Sequence, residues 1–235
     1  MMIRVPTATG GDMAAYMAIP RAGKGVGVVV LQEIFGVTGS MKKICDFLAD
    51  RQFTVICPDL FHSVEENLDI PESEFEKARG IRGKVNDDAV VQDVVSSIEF
   101  LRKHPANSNG TVGVVGYCWG GLISYLTAAT QKPDAAVMYY GVGIDKHLDK
   151  AAQITCPTMF HYASKDQFAG PEVAAQVRDA MKDKKSQVWE YKDAGHAFAR
   201  PGGSHYHHPS ADLADMRTLS FLVEQLIGKG KAGAI

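Results

Sequence analysis

Gly116-Tyr117-Cys118-Trp119-Gly120-Gly121 sets a cysteine in a G-x-C-x-G pattern, where a β-rich run at 111–117 meets an apolar helical run at 119–130. A nucleophile on so tight a strand-to-helix turn stands clear of the backbone, and glycine two positions to either side avoids collision with strand and helix. The helix start adds partial positive charge, which favours a thiolate. Such a nucleophile needs a base and a group that orients the base. His196, in Asp193-Ala194-Gly195-His196-Ala197-Phe198, and Asp166, in Ala163-Ser164-Lys165-Asp166, each follow an expected strand. Histidine can take and return a proton near neutrality, and an aspartate can fix its tautomer and stabilise the imidazolium. Cys45, Cys57 and Cys156 have no such surroundings and read as core thiols.

Gln32-Glu33-Ile34-Phe35-Gly36 follows the most apolar run, VGVVVLQ at 26–32. The N–H groups of Ile34 and Trp119 are the expected oxyanion donors. Glu33 is unusual, because a carboxylate at the end of a buried strand is costly unless paired. Two readings stay open: a salt bridge with an arginine, or a hydrogen bond to the Cys118 thiol. Asp193 is a poor orienting acid for a histidine on its own loop, and Asp134 and Asp145 suit turns. His205, His207 and His208, in SHYHHP, match no standard zinc spacing. The remaining histidines, His62, His104, His147 and His161, take core or surface roles by default. No metal and no cofactor is expected.

The pattern predicts strands at 13–19, 26–32, 53–57, 111–117, 135–140, 158–162 and 187–191. It predicts helices at 40–51, 86–103, 119–130, 171–182 and 211–227, with Asn86 or Asp87 as a cap. Residues 62–84 read as polar and irregular, with one short helix near 72–79, and 228–235 as a frayed tail. This alternation implies a mainly parallel sheet of about 7–8 strands with helices on both faces. Sites in such sheets lie beyond the C-terminal strand ends, in the loops after Gln32, Asp59, Tyr117, Ser164 and Asp193. With the nucleophile turn, the expected architecture is an α/β-hydrolase fold, in which nucleophile, acid and histidine follow in that order. The 235 residues suit one domain, 1–235. Composition is ordinary, with 46% hydrophobic and 22% charged residues, and 25 basic against 27 acidic residues leave a net charge of −2. That balance offers no reason for a nucleic-acid or anionic-membrane partner. No apolar run spans a bilayer, no secretory leader is visible, and four scattered cysteines suggest a reducing cytoplasmic setting.

QEIFG, CPDLF, SNGTVGVVGYCWGG, YYGVG, FHYASKD and AGHAFAR, in this order over roughly residues 8–227, resemble the dienelactone hydrolases, also called carboxymethylenebutenolidases. The resemblance implies a cytoplasmic, single-domain enzyme without cofactor that opens an enol-lactone through a Cys-His-Asp triad. On it, Cys118 matches the nucleophile, Asp166 the acid and His196 the base. Glu33 matches a glutamate that interacts with the nucleophile thiol and is thought to shift on substrate binding. Arg200 matches an arginine that binds the substrate carboxylate, Tyr140 and Phe168 match pocket-lining positions, and Phe35 is a further substrate-binding candidate. Two departures stand out. Trp119 replaces a leucine of the best-known members. The segment between Phe61 and Lys84, source of a second carboxylate-binding arginine, matches poorly, and Arg79 and Arg82 are its candidates.

A thiolate leaves more readily than an alkoxide, so cysteine favours esters and lactones with good leaving groups such as enolates or phenolates. The expected partner is a small-molecule ester or lactone, acted on by a monomer or weak homodimer, with slack specificity toward aryl esters and activated phosphotriesters. Alternatives are a promiscuous esterase or phosphotriesterase whose natural substrate is not dienelactone, a non-catalytic ligand-binding protein of the same fold, and a redox protein using a resolving cysteine.

Overall fold

Every residue of Gly25–Leu31 is buried, as a strand covered on both faces must be. In the computed structural model, which describes residues 1–228, this run is β3 of an eight-stranded sheet. The other strands are β1 (Met2–Pro6), β2 (Asp12–Ala18), β4 (Phe53–Pro58), β5 (Asn107–Tyr117), β6 (Ala135–Tyr139), β7 (Thr158–Ala163) and β8 (Ser186–Tyr191). Their spatial order is β1-β2-β4-β3-β5-β6-β7-β8. β2 runs antiparallel to both its neighbours, and all pairs from β4 to β8 are parallel.

The helices are α1 (Gly39–Ala49), α2 (Phe75–Arg82), α3 (Asp87–Lys103), α4 (Trp119–Ala129), α5 (Pro171–Ala180) and α6 (His208–Leu222). Side chains alternate across a strand, so β3 divides its valines between two cores. Val28 and Val30 pack with Met41, Ile44 and Leu48 of α1 and Phe221 and Leu222 of α6. Val29 and Leu31 pack with Val94 and Ile98 of α3, Ile123 and Tyr125 of α4 and Val177 of α5 on the other face. The sheet is therefore the expected α/β-hydrolase sheet, with β1 added. That strand has a single fully buried residue, Val5, and so carries almost no periodic signal.

Other departures are local. Asn86 caps α3 by accepting from the Ala89 N–H. α6 starts at His208, before the expected 211, because Pro209 needs no N–H partner in a first turn. It ends at Leu222 and passes into a π-turn, Val223–Ile227. A 3₁₀ run at Ile144–Gln153 was not foreseen. The tail expected at 228–235 lies, except for Gly228, outside the described residues. Among the described residues no helix is long and apolar enough to cross a membrane.

The segment 62–84 is more ordered than its polarity suggests. Asp59 accepts from the N–H groups of Phe61 (3.0 Å) and Asn67 (2.6 Å), which folds the chain back after β4. The Ile70 N–H then bonds to the Phe35 carbonyl at 2.9 Å. A 3₁₀ turn, Glu72–Glu74, leads into α2, which buries Ala78 and Ile81. This places Glu72 and α2 above the C-terminal ends of the central strands.

Candidate active site

Cys118 sits between β5 and α4 with φ 55° and ψ −117°, a strained conformation for a residue with a side chain. Neighbouring backbone holds it there: its N–H bonds to the Tyr139 carbonyl at 3.0 Å, and its carbonyl accepts from Gly121 at 3.0 Å. The turn can close only around glycine. A Cβ on Gly116 would lie 1.9 Å from the Gly120 oxygen, and one on Gly120 would lie 2.4 Å from the Leu31 oxygen. The second contact brings the start of α4 against the loop that carries Glu33 and Ile34.

His196 Nε2 lies 3.2 Å from Cys118 Sγ, and His196 Nδ1 lies 2.8 Å from Asp166 Oδ2. The N–H groups of Phe168 (2.7 Å) and Ala169 (3.0 Å) donate to Asp166 Oδ1. Burial pushes the Asp166 carboxyl up, but His196 and these two N–H groups outweigh it and hold the pKa below the usual range. Burial likewise opposes charge on His196, yet Cys118 and Asp166 raise its pKa to about 10. A protonated imidazole beside the sulfur is the partner a thiolate needs. The Ile34 and Trp119 side chains line the cleft beside Cys118. Trp119 opens α4, so no carbonyl of its own helix takes its N–H.

The raised His196 pKa has a sign that stability can report. Its native value lies above the unfolded 6.5, so its contribution is fully present below about pH 6.5 and lost as pH rises through about 10. The melting-temperature advantage of the wild type over His196→Gln is expected to shrink between pH 7 and 10.5. An advantage that stays constant over that range would contradict the charged pair.

Glu33 is buried, and its Oε2 accepts from Arg200 Nε. Of the two readings of Glu33, this is the arginine salt bridge; the Cys118 sulfur is hydrogen-bonded to His196 instead. Arg200 Nη1 also meets Glu72 Oε1 at 2.9 Å, and its guanidinium lies 4.9 Å from the Phe35 ring. Arg200 lines the cleft, where the resemblance sets an arginine that binds the substrate carboxylate, and in this structure two protein carboxylates, Glu33 and Glu72, hold its guanidinium.

The cleft above Cys118 has a volume of about 960 Å³. Phe35, Phe168, Arg79 and Arg82 line it as expected. Tyr140 does not. It turns inward with φ 39°, is fully buried, and its ring makes T-shaped contacts with His196 (5.1 Å) and Phe198 (5.4 Å). Arg79 is exposed and pairs with Glu76 at 3.3 Å, while Arg82 pairs with Asp87 at 2.7 Å and lies over the Trp119 ring. Trp119 is pinned further by its indole N–H to Asp87 (3.0 Å) and by stacking on Phe61 (5.3 Å). Sequence reasoning missed Glu72, Phe75, Leu122, Val142 and the clamp by Asp87. Nothing around Glu72, in a polar run after Pro71, marks it as a cleft residue.

Among the described residues no cluster could hold a metal ion. The SHYHHP histidines take separate partners: Ser204 for His205, Ser210 for His207 and Asp212 for His208. Asp193 pairs with Lys165 at the surface. Cys45 and Cys57 bond to each other as thiols in the core, and burial pushes Cys45 up, away from reactivity. His161 is a fully buried core histidine, held by Tyr191 and Thr218.

Known proteins match along nearly the whole chain. The carboxymethylenebutenolidase of Pseudomonas putida is 34% identical over 224 residues, covering 94% of each chain. A solved structure from Klebsiella pneumoniae subsp. pneumoniae MGH 78578, provisionally named a dienelactone hydrolase, is 25% identical with a TM-score of 0.82, covering 95% of this chain and 98% of that one. The dienelactone hydrolase-like promiscuous phosphotriesterase P91, from metagenomic libraries, shares the fold at a TM-score of 0.80 and 20% identity, covering 96% and 98%. The model of the dienelactone hydrolase family matches residues 13–226, and the chain belongs to that family of α/β-fold hydrolases.

Proposed function

We propose that this enzyme hydrolyses small, activated carboxylic esters or lactones through Cys118, His196 and Asp166, by way of an acyl-thioester. One observation carries the reading. The sulfur, imidazole and carboxylate form an unbroken relay, 3.2 Å and 2.8 Å long, at the floor of a cleft of small-molecule size. Cys118 attacks the carbonyl carbon, and the carbonyl electron pair moves onto an oxygen placed toward the N–H groups of Ile34 and Trp119. Such a donor contributes about 10²–10³ in rate. Collapse expels the enolate or phenolate, which takes its proton from His196. His196 then removes a proton from water as the water attacks the thioester, and the thiolate leaves. Asp166 keeps Nδ1 of His196 protonated throughout. Trp119, clamped by Asp87 and Phe61, makes the wall beside the nucleophile stiff. An activated phosphotriester offers the same geometry of attack and is a natural side reaction. The reading includes one working domain over the chain, acting as a monomer or weak homodimer in a reducing cytoplasm.

The test is to catch the thioester. A p-nitrophenyl ester of a bulky, slowly deacylated acid is mixed with the protein, quenched in acid and weighed by mass spectrometry. The expected result is one acyl group per chain, on the peptide that holds Cys118 and labile to hydroxylamine. Turnover with no adduct, or an adduct on another residue, overturns the proposal.

A further inference from the structure

Among the described residues four cations besides the catalytic His196 line the cleft, and each already has an acidic partner: Glu76 for Arg79, Asp87 for Arg82, Asp193 for Lys165, and both Glu33 and Glu72 for Arg200. The Arg79 and Lys165 pairs are exposed, where water and salt screen them. Arg200 is different. It is buried at 7% exposure, and two carboxylates against one guanidinium leave that wall with a net negative charge. Glu33 is the buried partner. Glu72 is the partner on the cleft side, with 34% of its side chain exposed.

Glu72 is held in place by more than Arg200. The Ser204 hydroxyl donates to its Oε2 at 2.8 Å and the Ser204 N–H at 3.4 Å. The turn that brings Ser204 there passes through Gly203, where a Cβ would lie 2.8 Å from Glu72 Oε1 and 2.9 Å from Arg200 Cδ. Burial works against the Glu72 charge, but Arg200 and Ser204 hold its pKa below the usual carboxylate range, so it is ionised at neutral pH. An ionised carboxylate thus sits on the cleft side of the one deeply placed guanidinium, where an anionic group of a ligand would otherwise bind.

We propose that Glu72 is a specificity-determining residue, an internal carboxylate in the anion position of Arg200, so that the cleft prefers neutral acyl groups to acyl groups that carry a carboxylate. The inference rests on the hydrolase reading above and deepens it. A charged acyl group must displace Glu72 from Arg200 or lie beside a net negative wall, and both weaken binding. Glu72→Gln removes the charge and keeps one acceptor oxygen, enough for Arg200 or for the Ser204 N–H but not for both.

The experiment compares p-nitrophenyl butyrate with mono-p-nitrophenyl glutarate, which share a leaving group and differ by a terminal carboxylate. In Glu72→Gln the ratio of kcat/KM, glutarate monoester over butyrate, is expected to rise about tenfold, a 1.4 kcal/mol preference, through KM rather than kcat. Ser204→Ala, which loosens Glu72, is expected to move the ratio the same way by less, and it serves if Glu72→Gln does not fold. An unchanged ratio, or equal change on both esters, overturns the proposal. Titration of glutarate dianion into wild type and Glu72→Gln gives a readout without turnover. Tighter binding to the variant supports the inference even if ester hydrolysis fails, and equal binding refutes it even if hydrolysis succeeds.

Discussion

Cys118→Ala is expected to lower kcat/KM for p-nitrophenyl esters by about 10⁴–10⁶, because no other group can form the covalent intermediate. The alanine itself suits the fold. Cys118 is small and nearly buried, and glycines rather than its sulfur make the turn. The loss should therefore appear in initial rates while the protein stays folded, its melting temperature lowered at neutral pH only by the charged partner that His196 loses. Retained wild-type hydrolysis would remove Cys118 from the mechanism. Cys118→Ser should also be strongly impaired. The protonated His196 suits a sulfur anion, and a hydroxyl, far less acidic than a thiol, cannot supply that anion to the ion pair.

Asp166→Asn is the second large effect, a fall of about 10³–10⁴ in kcat. The cause is directional. Asp166 Oδ1 already accepts from the Phe168 and Ala169 N–H groups. An asparagine must keep its carbonyl there, which turns its NH₂ toward His196 Nδ1. A donor at that position selects the tautomer with hydrogen on Nε2, pointing at Cys118, and the imidazole can no longer act as base. Steady-state rates from pH 6 to 10 check this. A loss of less than tenfold, with the protein still folded, would mean that Asp166 does not set the tautomer.

The two expectations draw on features of unequal legibility. The nucleophile turn could be read because glycine spacing reports backbone crowding directly: Gly116 and Gly120 have no room for a Cβ. The buried strands could be read because a run such as VGVVVLQ has only one stable place in a parallel sheet. Asp166 and His196 were legible because each follows such a strand. β1 was not, since one buried residue in five gives no period.

The placement of charges was legible only in part. Glu33 invited either an arginine or the thiol as partner, and only the fold, which sets it 167 positions from its guanidinium, decides for Arg200. The resemblance sets Tyr140 in the cleft lining, yet with a positive φ its ring is buried in the core. Glu72 gave no sign and Asp87 read only as a helix cap, for their partners, Arg200 and Trp119, lie 128 and 32 positions away. By itself the sequence determined the sheet, the nucleophile turn and the identity of the three relay residues, because these depend on burial periodicity and local backbone sterics. Tertiary structure alone decided how the cleft is charged. Ion pairing depends on distance in space, and the segment 62–84, weakest in pattern, is the one that folds over the site and sets a second carboxylate, Glu72, on Arg200 beside Glu33.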